Sequence, residues 1–234
     1  MGINIHLRPV GRSLLEFLFP SRCVGCGEEG AFLCADCRGA LPSIQSPFCN
    51  ICGRPLSPGE PCPDCRRRQL EINGIRAPFR FEGVIRDAIH KLKYQHFRAL
   101  APSLAELLAG YLEGRPLAAD VLVPVPIHSR RLRERGYNQS ALLAKELSKL
   151  VTIPVVEDCL FRLKNTSSQT KADAQMRRRN VSGAFLCRDR RLEGQRVLII
   201  DDVCTTGATL DSCAVALRRG GASLVWGLTV AREA

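Results

Sequence analysis

Aromatic residues make up only 6% of the chain, and Trp226 is its single tryptophan. That scarcity removes the stacking platform on which single-strand nucleic-acid binders rest successive bases. Every apolar stretch is far shorter than the roughly 20 residues a membrane-spanning helix needs, so no membrane span is expected. An export signal is also not expected. Arg8 and Arg12 precede Leu14, Leu15, Phe17, Leu18 and Phe19, but Glu16 interrupts that run, Pro20 ends it, and no small-residue cleavage site follows. Residues 1–20 therefore read as an amphipathic lead-in helix of a cytoplasmic protein. Acidic residues are outnumbered, 23 Asp and Glu against 34 Lys and Arg, for a net charge of +11. The excess favours an anionic partner such as a nucleotide, pyrophosphate or nucleic acid, although a merely basic, soluble surface would look the same.

What the chain has in quantity is cysteine, twelve in all. Eight fall in C-x-x-C pairs: Cys23/Cys26, Cys34/Cys37, Cys49/Cys52 and Cys62/Cys65. Without an export signal, paired cysteines argue for metal over disulfides. A C-x-x-C pair grips one side of a tetrahedral zinc ion and a second pair completes it. The segment also repeats itself. Gly27 and Gly53 follow the first pair of each unit, and Asp36 and Asp64 precede the last cysteine. Self-similarity at this period suggests two copies of one small metal-holding module. It favours two structural Zn2+ sites with sequential ligands, Cys23, Cys26, Cys34 and Cys37 for one and Cys49, Cys52, Cys62 and Cys65 for the other, while interleaved pairing stays open. The domain expectation is residues 21–69 for this double zinc ribbon and 75–234 for a second domain.

From residue 75 onward, helical and strand patterns alternate. Ile85, Ile89 and Leu92 share a helical spacing, as do Leu100, Leu104, Leu107, Leu108 and Tyr111, and again Leu143, Leu147 and Leu150. Residues 121–125 read as a strand entering a loop. Residues 197–200 form an apolar run too short for a helix and typical of a buried parallel strand. Leu210, Ala214 and Leu217 mark a helix stopped by Gly220 and Gly221, and residues 223–230 a final strand. Alternation of this kind implies an α/β fold, a parallel sheet flanked by helices.

The densest motif is Asp201, Asp202, Val203, Cys204, Thr205, Thr206, Gly207, Ala208, Thr209, directly after the apolar run. A strand of a parallel sheet delivers such a loop to the carboxyl edge, where α/β ligands bind. Two adjacent carboxylates repel unless hydroxyls or a cation share their charge, and a ribose offers two hydroxyls. The small threonine-rich turn at the start of a helix is a nest for a terminal phosphate.

This run resembles the signature of type I phosphoribosyltransferases. The resemblance implies that Asp201 and Asp202 hold the ribose of phosphoribosyl pyrophosphate as the catalytic pair, while residues 203–209 take its 5′-phosphate. Two further blocks are similar to the ComF family: Pro124 through Gln139, including Pro126, Ile127, His128, Ser129, Arg130 and Arg131; and Arg162, Thr166, Gln169, Arg177, Asn180 and Gly183. The first block implies a pyrophosphate loop at residues 126–131 on the same sheet edge as Asp201. There Arg130 and Arg131 would clamp the diphosphate, and His128 would be a ligand contact or a plain loop histidine. The second implies a closing lid with Arg162, Thr166, Gln169 and Arg177 facing the ligand. The family implies Mg2+ with phosphoribosyl pyrophosphate, and a role in DNA uptake in natural transformation, with single-stranded DNA and the uptake machinery as partners. The alternatives are an active phosphoribosyltransferase of nucleotide metabolism, with an acceptor the sequence does not specify, and a non-catalytic sensor of phosphoribosyl pyrophosphate.

Overall fold

The computed structural model describes residues 20–58, 62–63, 65–66, 70–164, 183–188 and 190–233. The expected lead-in helix, the basic pair Arg67 and Arg68, and the lid residues Thr166, Gln169 and Arg177 lie outside them. The chain divides into two compact units, Met1–Ala40 and Leu41–Ala234.

The first unit is organised by its cysteines. Cys23 N–H donates to Glu28 O (2.8 Å) and Gly27 N–H to Cys23 O (2.9 Å), a tight turn in which Gly27 takes the left-handed φ of 79°. The chain returns into a short helix, α1 (Ala35–Gly39), capped by the Cys34 sulfur, which accepts from Cys37 N–H.

In the second unit a parallel sheet forms from β1 (Gly74–Arg76), β2 (Phe79–Arg80), β3 (Val121–Pro124), β6 (Arg196–Cys204) and β7 (Leu224–Arg232). The order is β1-β7-β6-β3, with β2 pairing β7 beyond β1. The helices are α2 (Gly83–Tyr94), α3 (Leu100–Gly114), α4 (Ser129–Arg135), α5 (Gln139–Val151) and α6 (Ala208–Arg219). A separate antiparallel pair joins β4 (Leu160–Arg162) to β5 (Phe185–Cys187).

The patterns read from the sequence become the packing faces, except that Leu150, near the end of its helix, is exposed. Ile85, Ile89 and Leu92 of α2, Leu100, Leu104 and Leu108 of α3, and Leu143 and Leu147 of α5 are fully buried. α5 packs on β3 and β6 and against α3. Val121, Val123, Val197, Ile199 and Val225 build a second core with Leu210, Ala214 and Leu217 of α6 and with Leu160 and Phe185 of the small hairpin. The parallel sheet therefore carries apolar side chains on both faces, as a sheet between helix layers must.

Two elements are longer than their apolar patterns. β6 does not stop at Ile200; it runs through the acidic pair to Cys204, because its ladder with β7 continues to the Cys204–Arg232 register. The loop expected at residues 127–131 is already helical from Ser129, because His128 acts as its N-cap: the ring Nδ1 accepts from Arg130 N–H at 3.2 Å. Gly136 ends that helix at φ 72°, and Asn138 opens the next by accepting from Ser140 N–H.

Candidate functional site

Register places the site. Pro124 of β3 pairs with Ile200 of β6, so the chain leaving β3 and the acidic pair leaving the core of β6 emerge side by side at the carboxyl edge. Asn138 Nδ2 donates to Val125 O (3.0 Å) and so holds the start of α5 at that edge.

Successive strand residues point to opposite faces, and the two aspartates accordingly find different partners. Asp202 is buried and its Oδ1 lies 2.6 Å from Lys93 Nζ, at the last turn of α2. Asp201 is half-buried; its Oδ1 accepts from Ser140 Oγ (2.8 Å) and from Asp202 N–H (2.9 Å). Burial and the neighbouring Asp202 charge push the Asp201 carboxyl up to about 7, against the pull of Lys93 and Ser140. Burial disfavours a charged Lys93, but Asp202 more than compensates and holds the ammonium above its ordinary value. The repulsion expected between neighbouring carboxylates is thus met by one cation and one hydroxyl, both from helices far earlier in the chain.

After Cys204 the chain turns through Thr205, Thr206 and Gly207 and enters α6 at Ala208. Gly207 takes φ 77°, a left-handed conformation that favours glycine, and a Cβ there would displace the tip of the Ile75 side chain, 2.8 Å away. Thr206 Oγ1 accepts from Ala208 N–H (3.3 Å). Thr205, Thr206, Ala208 and Thr209 are half-buried, at the positive end of a twelve-residue helix. Cys204 is buried, its thiol pushed up to about 11 by burial despite nearby Arg232, which leaves it neutral and no nucleophile.

Next to Lys93 lies a cavity of about 200 Å3 lined by Lys93, Tyr94, His96, Arg131, Glu134 and Arg135. Of the two arginines expected to act together, Arg131 lines this cavity, whereas Arg130 forms an exposed ion pair with Glu134 at 2.9 Å. Arg135 stacks over Tyr94 and donates to Gln139 Oε1. Arg162, in β4 at the described end of the expected lid, stacks over Phe185. Burial, with Arg131 adding to it, holds the Arg162 guanidinium below its ordinary value.

Lys93, Ser140 and Arg232 are not among the residues the motifs single out. Lys93 left a trace: it stands four positions after Ile89, inside the apolar stripe of α2, where a lysine demands a buried partner.

The cysteines form two groups of four with sequential membership: Cys23, Cys26, Cys34 and Cys37, and Cys49, Cys52, Cys62 and Cys65. Interleaving is excluded. Within each group the sulfurs lie within 4.8 Å of one another, with Cys26–Cys34 at 3.6 Å and Cys52–Cys62 at 3.7 Å. Four sulfurs about 2.3 Å from a tetrahedral zinc sit about 3.8 Å apart, so both groups fit Zn2+. The repeat seen in the sequence is also geometric: Gly53 N–H donates to Cys49 O at 2.9 Å with φ 71°, as Gly27 does to Cys23.

The double zinc ribbon domain model matches residues 14–66, and the phosphoribosyl transferase domain model matches residues 137–232. Competence protein F of Haemophilus influenzae is 30% identical over 228 residues, covering 90% of this chain and 97% of that protein. DNA utilization protein YhgH of Salmonella typhi is 32% identical, covering 82% and 87%. Competence protein ComFC of Bacillus subtilis is 29% identical, covering 86% and 84%.

Proposed function

Since the chain belongs to the ComF family, with a double zinc ribbon preceding a phosphoribosyltransferase-type domain, we propose that it binds Mg2+-bound phosphoribosyl pyrophosphate at residues 201–209 and serves DNA uptake or utilisation. The observation that carries this reading is that half-buried Asp201 comes just before the turn into α6, while its neighbour Asp202 pairs with Lys93, which lines a cavity together with Arg131. A carboxylate acceptor flanked by two anion-attracting sites matches a sugar with a phosphate at one end and a diphosphate at the other.

In this reading Asp201 accepts the ribose hydroxyls directly. Asp202, buried behind its Lys93 pair, keeps the lysine charged and aimed at the cavity. Residues 205–209 surround the 5′-phosphate, residues 126–131 flank the diphosphate with Arg131 as its cation, and Arg162 with Thr166, Gln169 and Arg177 closes the site. Mg2+ would come with the diphosphate, held mainly by ligand oxygens, and would offset its charge. Transfer would then rest on positioning and on electrostatic stabilisation of the departing diphosphate. Relatives named for competence and for DNA utilisation support that role, and the net charge of +11 suits a polyanionic partner.

Calorimetry with phosphoribosyl pyrophosphate and Mg2+ tests the binding. The parent should bind, and Asp201→Asn should bind at least about tenfold more weakly, the loss of one charge-assisted acceptor being worth roughly 1.5–3 kcal/mol. Equal affinity of parent and variant would place the ligand elsewhere. A turnover assay against amines, bases and oligonucleotides then separates a transferase from a sensor.

A further inference from the structure

Arg232 is the largest of the fully buried side chains, 1% exposed, at the end of β7. Its backbone is fixed on both sides. Cys204 stands opposite it in the last pair of the β6–β7 ladder, and its carbonyl accepts from Phe81 N–H at 2.8 Å. A guanidinium keeps its charge at any physiological pH, and a buried charge is costly unless an anion faces it. Among the described residues no carboxylate forms an ion pair with Arg232. Its Nη1–H donates to Cys204 Sγ at 2.8 Å, and its Nε has no hydrogen-bond partner.

Cys204 is the residue from which the phosphate turn departs. Its sulfur lies 3.9 Å from the point a Cβ on Gly207 would occupy, so one sulfur atom adjoins both the guanidinium and the turn. Ile75 Cδ1 lies 2.8 Å from the same point, and Ile75 and Cys204 are both buried. Apolar surroundings screen a charge poorly, so the field of Arg232 reaches the turn with little loss. The chemistry of the partner matters as well. A carboxylate at position 204 would neutralise the arginine but would set a negative charge against any anion in the turn. A thiol that burial keeps neutral takes one N–H and cancels nothing. The free N–H groups at the start of the twelve-residue α6 add to the same attraction.

We propose that Arg232 is the buried cation of the phosphate turn: its counter-charge is the phosphate group bound at residues 205–209, whose affinity it raises without touching the ligand. Arg232 is therefore a positioning residue. The proposal rests on the reading of residues 205–209 as a phosphate site.

The test titrates inorganic phosphate into the zinc-loaded full chain and follows two sets of NMR signals, the amides of residues 205–209 and the Nε–H of Arg232. Burial slows exchange of that Nε–H with water, and its absence from Arg232→Lys identifies it. In the parent both sets should shift with one shared midpoint. Arg232→Met should raise the dissociation constant for phosphate at least about tenfold, the scale of losing a desolvated charge partner. Arg232→Lys should return to within about threefold of the parent; lysine and methionine are similar in length, so this rescue separates charge from packing. Amide shifts with an unmoved Arg232 Nε–H, or parental affinity in Arg232→Met, would overturn the role of Arg232 and leave the phosphate site standing. Should Arg232→Met fail to fold, the Nε–H response of the parent decides. If phosphate shifts no amide of residues 205–209, the phosphate reading and the role of Arg232 fall together.

Discussion

Lys93 Nζ and Asp202 Oδ1 stand 2.6 Å apart, joining the last turn of α2 to the carboxyl end of β6 across more than one hundred residues of sequence. The pair is largely buried, so each charge depends on the other. Lys93→Met is expected to cost about 3–5 kcal/mol by leaving Asp202 buried and unpaired, and to lower Tm by roughly 2–4 °C per kcal/mol. Lys93→Met combined with Asp202→Asn should recover much of that loss, because no lone charge remains. Thermal unfolding of the two singles and the double gives the coupling; additive losses would show that the pair does not interact.

Asp201 is expected to make phosphoribosyl pyrophosphate binding depend on pH near neutrality. Its carboxyl is held at about 7 by burial and by Asp202. Hydroxyl donors of a ribose stabilise the ionised form, so ligand binding lowers this value and expels a proton below pH 7. Affinity should therefore rise between pH 6 and 8 and level off above. The phosphates of the ligand titrate as well, so the diagnostic is the difference from Asp201→Asn, which should show a shallower slope. Identical slopes in calorimetric titrations across that range would remove Asp201 from the contact.

Metal content follows from the two cysteine groups. Protein purified without added zinc should carry close to two equivalents, and Cys26→Ser and Cys52→Ser should each lose about one. Elemental analysis decides, and iron in place of zinc would contradict the assignment.

Single-stranded DNA should bind weakly, with an affinity that falls steeply as salt rises and with little sequence preference. The excess of 34 basic over 23 acidic residues and the scarcity of aromatics favour phosphate contacts over base stacking. Fluorescence anisotropy at several salt concentrations measures the slope. Competition by phosphoribosyl pyrophosphate would place the DNA on the turn at residues 205–209. Absence of binding at low salt would remove direct DNA contact by the isolated chain.

The sequence by itself determined whatever is written in contiguous residues. Periodicity in the stretches around Ile85, Leu104, Leu143 and Leu210 sufficed for the helices, because burying one face of a helix leaves a local 3.6-residue pattern. The turn at residues 205–209 and the duplicated cysteine unit were legible for the same reason: the conformation and the ligand set are both short-range. Tertiary structure decided the rest. The partners of Asp201 and Asp202 and the burial of Arg232 beside Cys204 are relations between segments distant in the chain, and the choice of sequential over interleaved sulfurs shows only once the pairs are folded together. His128 looked like a loop residue because capping depends on where a helix begins, and no apolar period marks the start of so short a helix as α4. Strand order is of the same kind. Of the neighbours in the order β1-β7-β6-β3 only β6 and β7 are consecutive in the chain, and local pattern carries no record of which buried strand lies next to which.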